Sequence, residues 1–381
     1  MTILFAHPGS ELYGSDRMIV ETIRAAVAAG AEAHLVIPDN GPLKPLAESA
    51  GAIVEAIDVP VLRKEFMSLK GVVRLTLRTL LTMPRILKLL RAMRPEAVWV
   101  NTITQPSWMF AAWFCRIPLV VHVRESEHSA SRLVQRLLIA PLALASLVVS
   151  NSKSTQDFVR QNMSHFRARK RTYKVIYNGK EWDRYFRSEA PDFRSPLRLL
   201  LVGRLSPRKG QDVVLQAMND LHKKGIATQL TLAGEVFPGY EWYRDQLQLA
   251  AAALPAGTDC RFIGFVEDPS SVLEDADIVL VPSRTEPFGT VAAEAMAAKR
   301  PVIVSAVDGL VEVVENGVTG LTFSAGDPID LAAKISYLHQ NPSVARSLAA
   351  SGWLFVNESL SAQAYARNVQ EALEIVQEGG L

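Results

Sequence analysis

At 381 residues the chain exceeds what one ordinary hydrophobic core supports, so two units of about 150–200 residues are expected. Hydrophobic residues at 49% against charged residues at 21% exclude a disordered or fibrous chain. The net charge of +2 conceals a split: residues 1–188 hold 26 Lys and Arg against 15 Asp and Glu, and residues 189–381 hold 15 against 24. Two cysteines, Cys115 and Cys260, stand far apart without a CxxC, which argues against a disulfide framework or structural zinc and for a reducing cytoplasm.

In chain order, MTILFAH opens as an apolar strand with no basic segment or cleavage site, so no signal peptide is expected. HPGSELYGSDRMIVETI follows as a loop and an amphipathic helix, with Asp16 a candidate N-cap. AHLVIP, AVWVNT, PLVVHV, SLVVSNS and YKVIYNG read as further buried strands. The 13-residue apolar run Leu137 to Val149 contains Pro141, is too short to span a bilayer and reads as a buried element. The second half repeats the alternation with LRLLLVGR, QLTLAG, CRFIGFV, IVLVPS, RPVIVSA and GLTFSA. Runs apolar throughout, separated by helices, are what parallel sheets covered on both faces produce. The fold class expected is therefore α/β, two doubly wound Rossmann-like units with the ligand in the cleft between them, beyond the carboxyl ends of the strands. The polar, proline-bearing Ser188 to Pro196 marks the join. The division expected is 1–188, 189–360 and a C-terminal helix over 361–381 that packs back on the first unit.

Two motifs carry chemistry. In VPSRTEPFGTVAAEAMAAKRPVIVSAVDGLVEVV, Glu286 and Glu294 stand eight positions apart around the turn Phe288-Gly289-Thr290. A glycine there lets backbone approach a ligand, the N–H groups opening a helix face an anion, and carboxylates accept from sugar hydroxyls. The pair taken alone reads equally well as a loop acid and a solvated helix acid. In VGRLSPRKGQDVVLQAM, Arg204 and Lys209 flank a strand-to-helix turn beside Gly203 and Gly210, as cations that offset charge on a departing pyrophosphate do. Ordinary surface cations are the bland alternative.

Glu286, Phe288-Gly289, Glu294-Ala295-Met296-Ala297, Pro301-Val302-Ile303 and DGLVEVVENGVTGL together resemble the donor-binding core of retaining glycosyltransferase family 4, which has the GT-B fold of two facing Rossmann-like domains. Asp308 departs from the family's first glycine of its downstream glycine pair. The resemblance implies a nucleotide-diphosphate sugar donor, UDP-linked in preference to GDP-linked, with the base gripped by backbone around Arg261 to Val266, Ile263 included. It implies that Arg204 and Lys209 contact the diphosphate in place of a metal, so that no cofactor is needed. It implies reaction on the face from which the leaving group departs, without a protein nucleophile. It maps the family's Gly-Gly phosphate loop onto Gly14-Ser15, and a histidine beside the donor sugar onto His122, at the end of PLVVHV. His7 is a weaker candidate, and Glu125 and Glu127 are acceptor candidates that no spacing requires. No Asp-x-Asp in a strand context is read, and no metal ligands are expected.

The acceptor side rests on charge. Arg63 to Arg94 hold nine Lys or Arg and Glu65 as the sole acid. On one helix at about 100° per residue, Lys70, Arg74, Arg78, Arg85 and Lys88 fall within an arc of about 80°, with Pro84 a possible kink. Arg167, Arg169, Lys170, Arg171 and Lys174 form a second cluster. Basic amphipathic helices lie on anionic membranes, although a solvated face on a core helix gives the same pattern. Nucleic acid is the poorer reading, for want of interleaved aromatics and a recognisable module. The expected partners are the nucleotide sugar, a lipid-linked or glycan acceptor and an anionic membrane surface, at the cytoplasmic face. A scaffold without turnover and a nucleotide-sugar epimerase remain as alternatives.

Overall fold

A strand flanked by strands and covered on both faces is mostly apolar, and the central strands of this chain are, with His122 and Arg198 among the exceptions. The computed structural model describes residues 1–62, 69–128, 130–163, 171–187 and 191–378, apart from the side chains of residues 69, 70 and 72. Lys70, Arg167, Arg169, Lys170 and the start of the expected join lie outside those described. Two units emerge, Met1–Lys180 with Ala362–Leu381, and Glu181–Ser361.

In unit 1, β1 (Thr2–Ala6), α1 (Gly14–Ala28), β2 (Glu32–Ile37), α2 (Leu43–Ser49), β3 (Ala52–Ala56), α3 (Leu69–Met93) and β4 (Ala97–Val100) alternate. They continue with α4 (Pro106–Phe114), β5 (Leu119–Val123), α5 (Arg132–Ile139), β6 (Leu147–Ser150), α6 (Lys153–Asn162) and β7 (Thr172–Val175). The sheet runs β3-β2-β1-β4-β5-β6-β7, with parallel pairing throughout. β1, β4, β5 and β6 are buried almost throughout. β3, an edge strand exposed along most of its length, is not among the strands read from the sequence; its apolar run Ala52-Ile53-Val54 is broken by Glu55. The apolar run Leu137 to Val149 is three elements rather than one: the end of α5, a 3-10 turn over Ala140–Leu144 that holds Pro141, and the start of β6. Leu137 is exposed on α5, so that reading is corrected.

Unit 2 comprises β8 (Leu197–Val202), α7 (Gln211–Lys223), β9 (Thr228–Ala233), α8 (Glu241–Ala252), β10 (Asp259–Gly264), α9 (Ser270–Glu274) and β11 (Ile278–Val281). After these come α10 (Thr290–Ala297), β12 (Val302–Ser305), α11 (Leu310–Val313), β13 (Leu321–Phe323), α12 (Pro328–Gln340) and α13 (Pro342–Ser359). Its sheet runs β10-β9-β8-β11-β12-β13, again with parallel pairing. The join falls between Lys180 and Glu181, ahead of the polar stretch expected to hold it. The cause is aromatic anchoring: Trp182 donates its indole N–H to the Leu360 carbonyl at 2.8 Å, and the fully buried Tyr185 packs within unit 2.

The last helix, α14 (Ala362–Glu378), belongs to unit 1, where Tyr365, Val369, Leu373 and Val376 join the core of β1, α1 and β2. Tyr365 also ties the helix down by polar contact. Its hydroxyl lies 2.7 Å from Thr22 Oγ1 and accepts from Arg124 Nη2 at 3.2 Å, both buried. Removing one partner of a buried pair leaves the other unsatisfied, at about 1–3 kcal/mol. Tyr365→Phe should therefore lower the stability of the intact chain by roughly 1–3 kcal/mol, read as a fall in the urea midpoint of unit 1. An unchanged midpoint would show that the hydroxyl does not anchor α14.

Candidate functional site

In both sheets the strand order reverses once, between β1 and β4 in unit 1 and between β8 and β11 in unit 2. Loops leaving two strands on either side of a reversal diverge, and the crevice they leave is where doubly wound sheets bind ligands. Lys209 follows β8 and Glu286 follows β11, so the unit 2 reversal brings the two motifs together.

The β8 turn is built by glycines. At Gly210, which leads into α7 with φ 70°, a Cβ would stand 2.1 Å from the Pro282 carbonyl oxygen. The missing side chain lets the turn close onto the end of β11. Lys209, in the 3-10 turn Pro207–Lys209, then meets Glu286, with Nζ 2.6 Å from Oε2 and the two side chains 15% and 13% exposed. Ser283 Oγ donates to the same Oε2 at 3.2 Å and Arg208 Nη1 lies 3.8 Å from it, so all three contacts fall on one carboxylate oxygen. Burial pushes the Lys209 amine below its ordinary range, and Glu286 opposes only part of that shift. Burial also pushes the Glu286 carboxyl up, but Lys209 and Arg208 together hold it below its usual value.

The loop carrying Glu286 is held by a residue that departs from the family pattern. Asp308, at φ 42°, occupies the left-handed region that glycine favours and aspartate tolerates. Its carboxylate accepts from Thr285 Oγ1 at 2.6 Å and from the Glu286 backbone N–H at 3.0 Å. Phe288 is buried, and Gly289 (φ 107°) precedes α10, which Thr290 opens. A Cβ at Gly289 would meet Leu310 Cδ2 at 2.5 Å. Glu294, 6% exposed on α10, does not join the Lys209–Glu286 pair; its Oε1 accepts from Tyr185 at 3.1 Å. Tyr185 went unread because the expected boundary placed it in the other unit.

Gly203, at φ 155°, follows β8, with Lys209 carbons 3.5 Å from where its Cβ would stand. Arg204 lies with its guanidinium carbon 5.0 Å over the ring of Phe237, a half-exposed aromatic on the loop after β9. The backbone sets that pairing: Leu205 N–H donates to Glu235 O at 2.8 Å and Phe237 N–H to Leu205 O at 3.2 Å, so the two loops extend the ladder past their strands. Ile263 is the additional residue of a bulge where β10 shifts register on β9, leaving its backbone out of the ladder. One Asp-x-Asp does precede β11, a pattern the sequence reading passes over. Its Asp277 is fully buried and bound by Arg198 through contacts of 2.8 to 3.1 Å, which makes it structural. Among the described residues no three His, Cys, Asp or Glu side chains converge as metal ligands would.

In unit 1 the residues at the reversal form a buried polar network. His7, closing β1, lies 2.7 Å from Asp16 and 2.9 Å from Asn101, which follows β4. Arg124, 8% exposed, donates to Asn101 at 2.8 Å, to Asn178 at 2.7 Å and to Nδ1 of His122 at 3.3 Å. Asp16 is the third residue of α1, not its N-cap; it accepts from the Tyr13 N–H at 2.8 Å. Gly14 and Ser15, exposed at the start of α1, are the part of that region open to a ligand. His122, the penultimate residue of β5, is fully buried with its ring edge toward Trp99, and its Nε2 has no hydrogen-bond partner. Arg124 is the hub that sequence reasoning missed. Glu125 accepts from the Thr102 hydroxyl and from the Arg124 N–H at 3.1 Å, and burial pushes its carboxyl up. It braces the loops after β4 and β5.

On the basic helix α3, Arg74, Arg85 and Lys88 are exposed, whereas Arg78 is paired with Asp58 at 2.6 Å. No helix among the described residues is long and apolar enough to cross a membrane.

Two families match. The one described as Glycosyltransferase Family 4 covers residues 13–183, and Glycosyl transferases group 1 covers residues 186–353. The chain belongs to the family 4 glycosyltransferases of GT-B fold. A glycogen synthase of Mycobacterium tuberculosis is 35% identical over 175 residues, 45% of this chain and 41% of that protein. A D-inositol 3-phosphate glycosyltransferase of Geodermatophilus obscurus is 34% identical over 208 residues, 51% of this chain and 45% of that protein. The chain thus spans about half the length of the curated relatives it matches. Among solved structures, Anabaena HepE in complex with UDP and glucose superimposes with a TM-score of 0.82 at 22% identity, covering 98% of this chain and 99% of that one. This likeness concerns the fold.

His122 yields a test of the unit 1 network. Burial, with Arg124 beside it, depresses its pKa well below the ordinary value, so the folded protein keeps it neutral where the unfolded chain protonates. The unfolded state binds the extra proton below about pH 6.5, and stability falls as pH falls through that value. His122→Gln should remove up to about 1.4 kcal/mol per pH unit from that slope, measured by chemical denaturation on either side of pH 6.5. Identical slopes would place His122 outside the network.

Proposed function

We propose that this family 4 glycosyltransferase transfers a sugar from a nucleotide-diphosphate donor, UDP-linked in preference to GDP-linked, with retention of configuration and without a metal. The observation that carries the reading is the desolvated Lys209–Glu286 pair at the reversal between β8 and β11, with Arg204 on the adjacent loop. Lys209 and Arg204 stabilise charge on the diphosphate as the bond from the anomeric carbon to phosphate oxygen breaks. Glu286, whose contacts converge on Oε2, accepts from a donor-sugar hydroxyl through Oε1. Glu294 accepts from ribose, and the unladdered backbone at Ile263 holds the base. The acceptor oxygen bonds to the anomeric carbon on the face the leaving group vacates, and its proton passes to the departing phosphate oxygen. HepE's binding of UDP and glucose supports the choice of donor. The acceptor is lipid-linked or a glycan, with an anionic membrane surface as partner and no nucleic acid.

Donor turnover with and without acceptor tests this. Release of nucleoside diphosphate is expected, whereas intact donor would indicate a scaffold and an isomerised donor an epimerase. Glu286→Ala should chiefly lower kcat and Glu294→Ala chiefly raise the donor KM. Wild-type kinetics in both would remove the site assignment.

Activity should also survive exhaustive EDTA treatment, while loss of Arg204 or Lys209 should cost on the order of 10²-fold or more. An absolute need for Mg²⁺ or Mn²⁺ would overturn the role given to the two cations.

A further inference from the structure

Three neighbouring helices of unit 1 turn apolar stripes to the outside, where surface helices ordinarily carry charge. On α3, Ile86 and Leu90 face the core, while Leu77, Leu80 and Leu81 stand outward at i, i+3 and i+4, with Leu81 75% exposed. On α4, Trp108 and Met109 are buried, while Phe110, Trp113 and Phe114 repeat the same spacing outward, with Trp113 60% exposed. On α5, Leu133 and Leu137 do likewise. The stripes adjoin: α3 touches α4, and the turn Ala140–Leu144 touches both α4 and α5. Arg91 joins the first two, its guanidinium carbon 5.8 Å over the Phe114 ring.

The charge on these elements has one sign. Residues 69–93, 106–114 and 132–144 contain six Lys or Arg on α3, two on α5, and no Asp or Glu. A protein partner of ordinary composition would leave those cations facing cations as well as acids. Apart from Arg78, which pairs with Asp58, an anionic bilayer complements these cations, taking apolar side chains below the headgroups while Lys and Arg stems lie along the apolar surface with their charges at the phosphates. Trp and Phe beside cations suit that boundary.

We propose that the α3–α4–α5 face of unit 1 is seated on an anionic lipid bilayer, with Trp113 and Phe114 entering the acyl boundary and Arg85, Lys88 and Arg91 at the phosphates. This deepens the proposed membrane partner and rests on it, and it shifts the contact from a basic stripe on one helix to an apolar face bordered by cations.

The test uses the full chain with phosphatidylglycerol–phosphatidylcholine vesicles, against phosphatidylcholine alone, including vesicles whose lipids carry bromine on the acyl chains. The wild type should bind the anionic vesicles, more weakly as salt rises, and its tryptophan fluorescence should be quenched by the brominated lipid. Trp113→Phe should keep binding within about twofold and lose most of the quenching. Arg85→Gln with Lys88→Gln should weaken binding roughly 25-fold. Donor turnover on a soluble acceptor should be unchanged in both variants, so its absence in the wild type would count against the transferase reading and leave this one standing. Quenching that survives Trp113→Phe, equal binding to uncharged vesicles, or self-association that hides the face in place of vesicle binding would each overturn the proposal.

Discussion

A parallel sheet carries every strand's carboxyl end to one edge, and the order of the strands decides which loops meet there. In unit 2 the reversal between β8 and β11 means that a cation in one motif and an acid in another, 77 residues apart, share a desolvated contact. The pairing needs backbone to pass where a side chain would block it, as at Gly210, and it needs the Glu286 loop fixed from the far side by Asp308. The ion pair, the bulge at Ile263 and the Arg204–Phe237 contact all stand at that edge because the topology leaves them no other.

The two reversals are filled differently. Unit 2 buries a charged pair whose members shift one another's ionisation. Unit 1 surrounds Arg124 with amides, a neutral imidazole and a phenol, so its cation is satisfied by hydrogen bonds to uncharged acceptors. A pair of opposite charges can exchange one partner for an anionic or hydroxylated ligand. The Arg124 network ties α14 to the loops after β4 and β5, while the buried Nε2 of His122 is left without a hydrogen-bond partner.

Much of this was legible in the residues. Buried strands are apolar at consecutive positions, so twelve of them could be read directly, and the spacing of Glu286, Gly289 and Glu294 brought the donor motif with it. The edge strand β3 was passed over, because most of its side chains meet water and its short apolar run is broken by Glu55. The burial of His122 was not legible either, since a strand's sequence does not say which of its last side chains other elements cover. The outward stripes of α3, α4 and α5 have the periodicity of core helices, and nothing in a one-dimensional pattern says which side of a helix the sheet lies on.

The sequence by itself determined the alternation of strands and helices, the parallel α/β class and the motif that joins the chain to family 4, because these depend on local composition and spacing. Only the tertiary structure decided that Lys209 meets Glu286, that Glu294 turns instead to Tyr185, and that Arg124 rather than His122 stands at the centre of unit 1. Those partners lie tens to hundreds of residues apart, and strand order together with helix packing brings them within hydrogen-bonding distance.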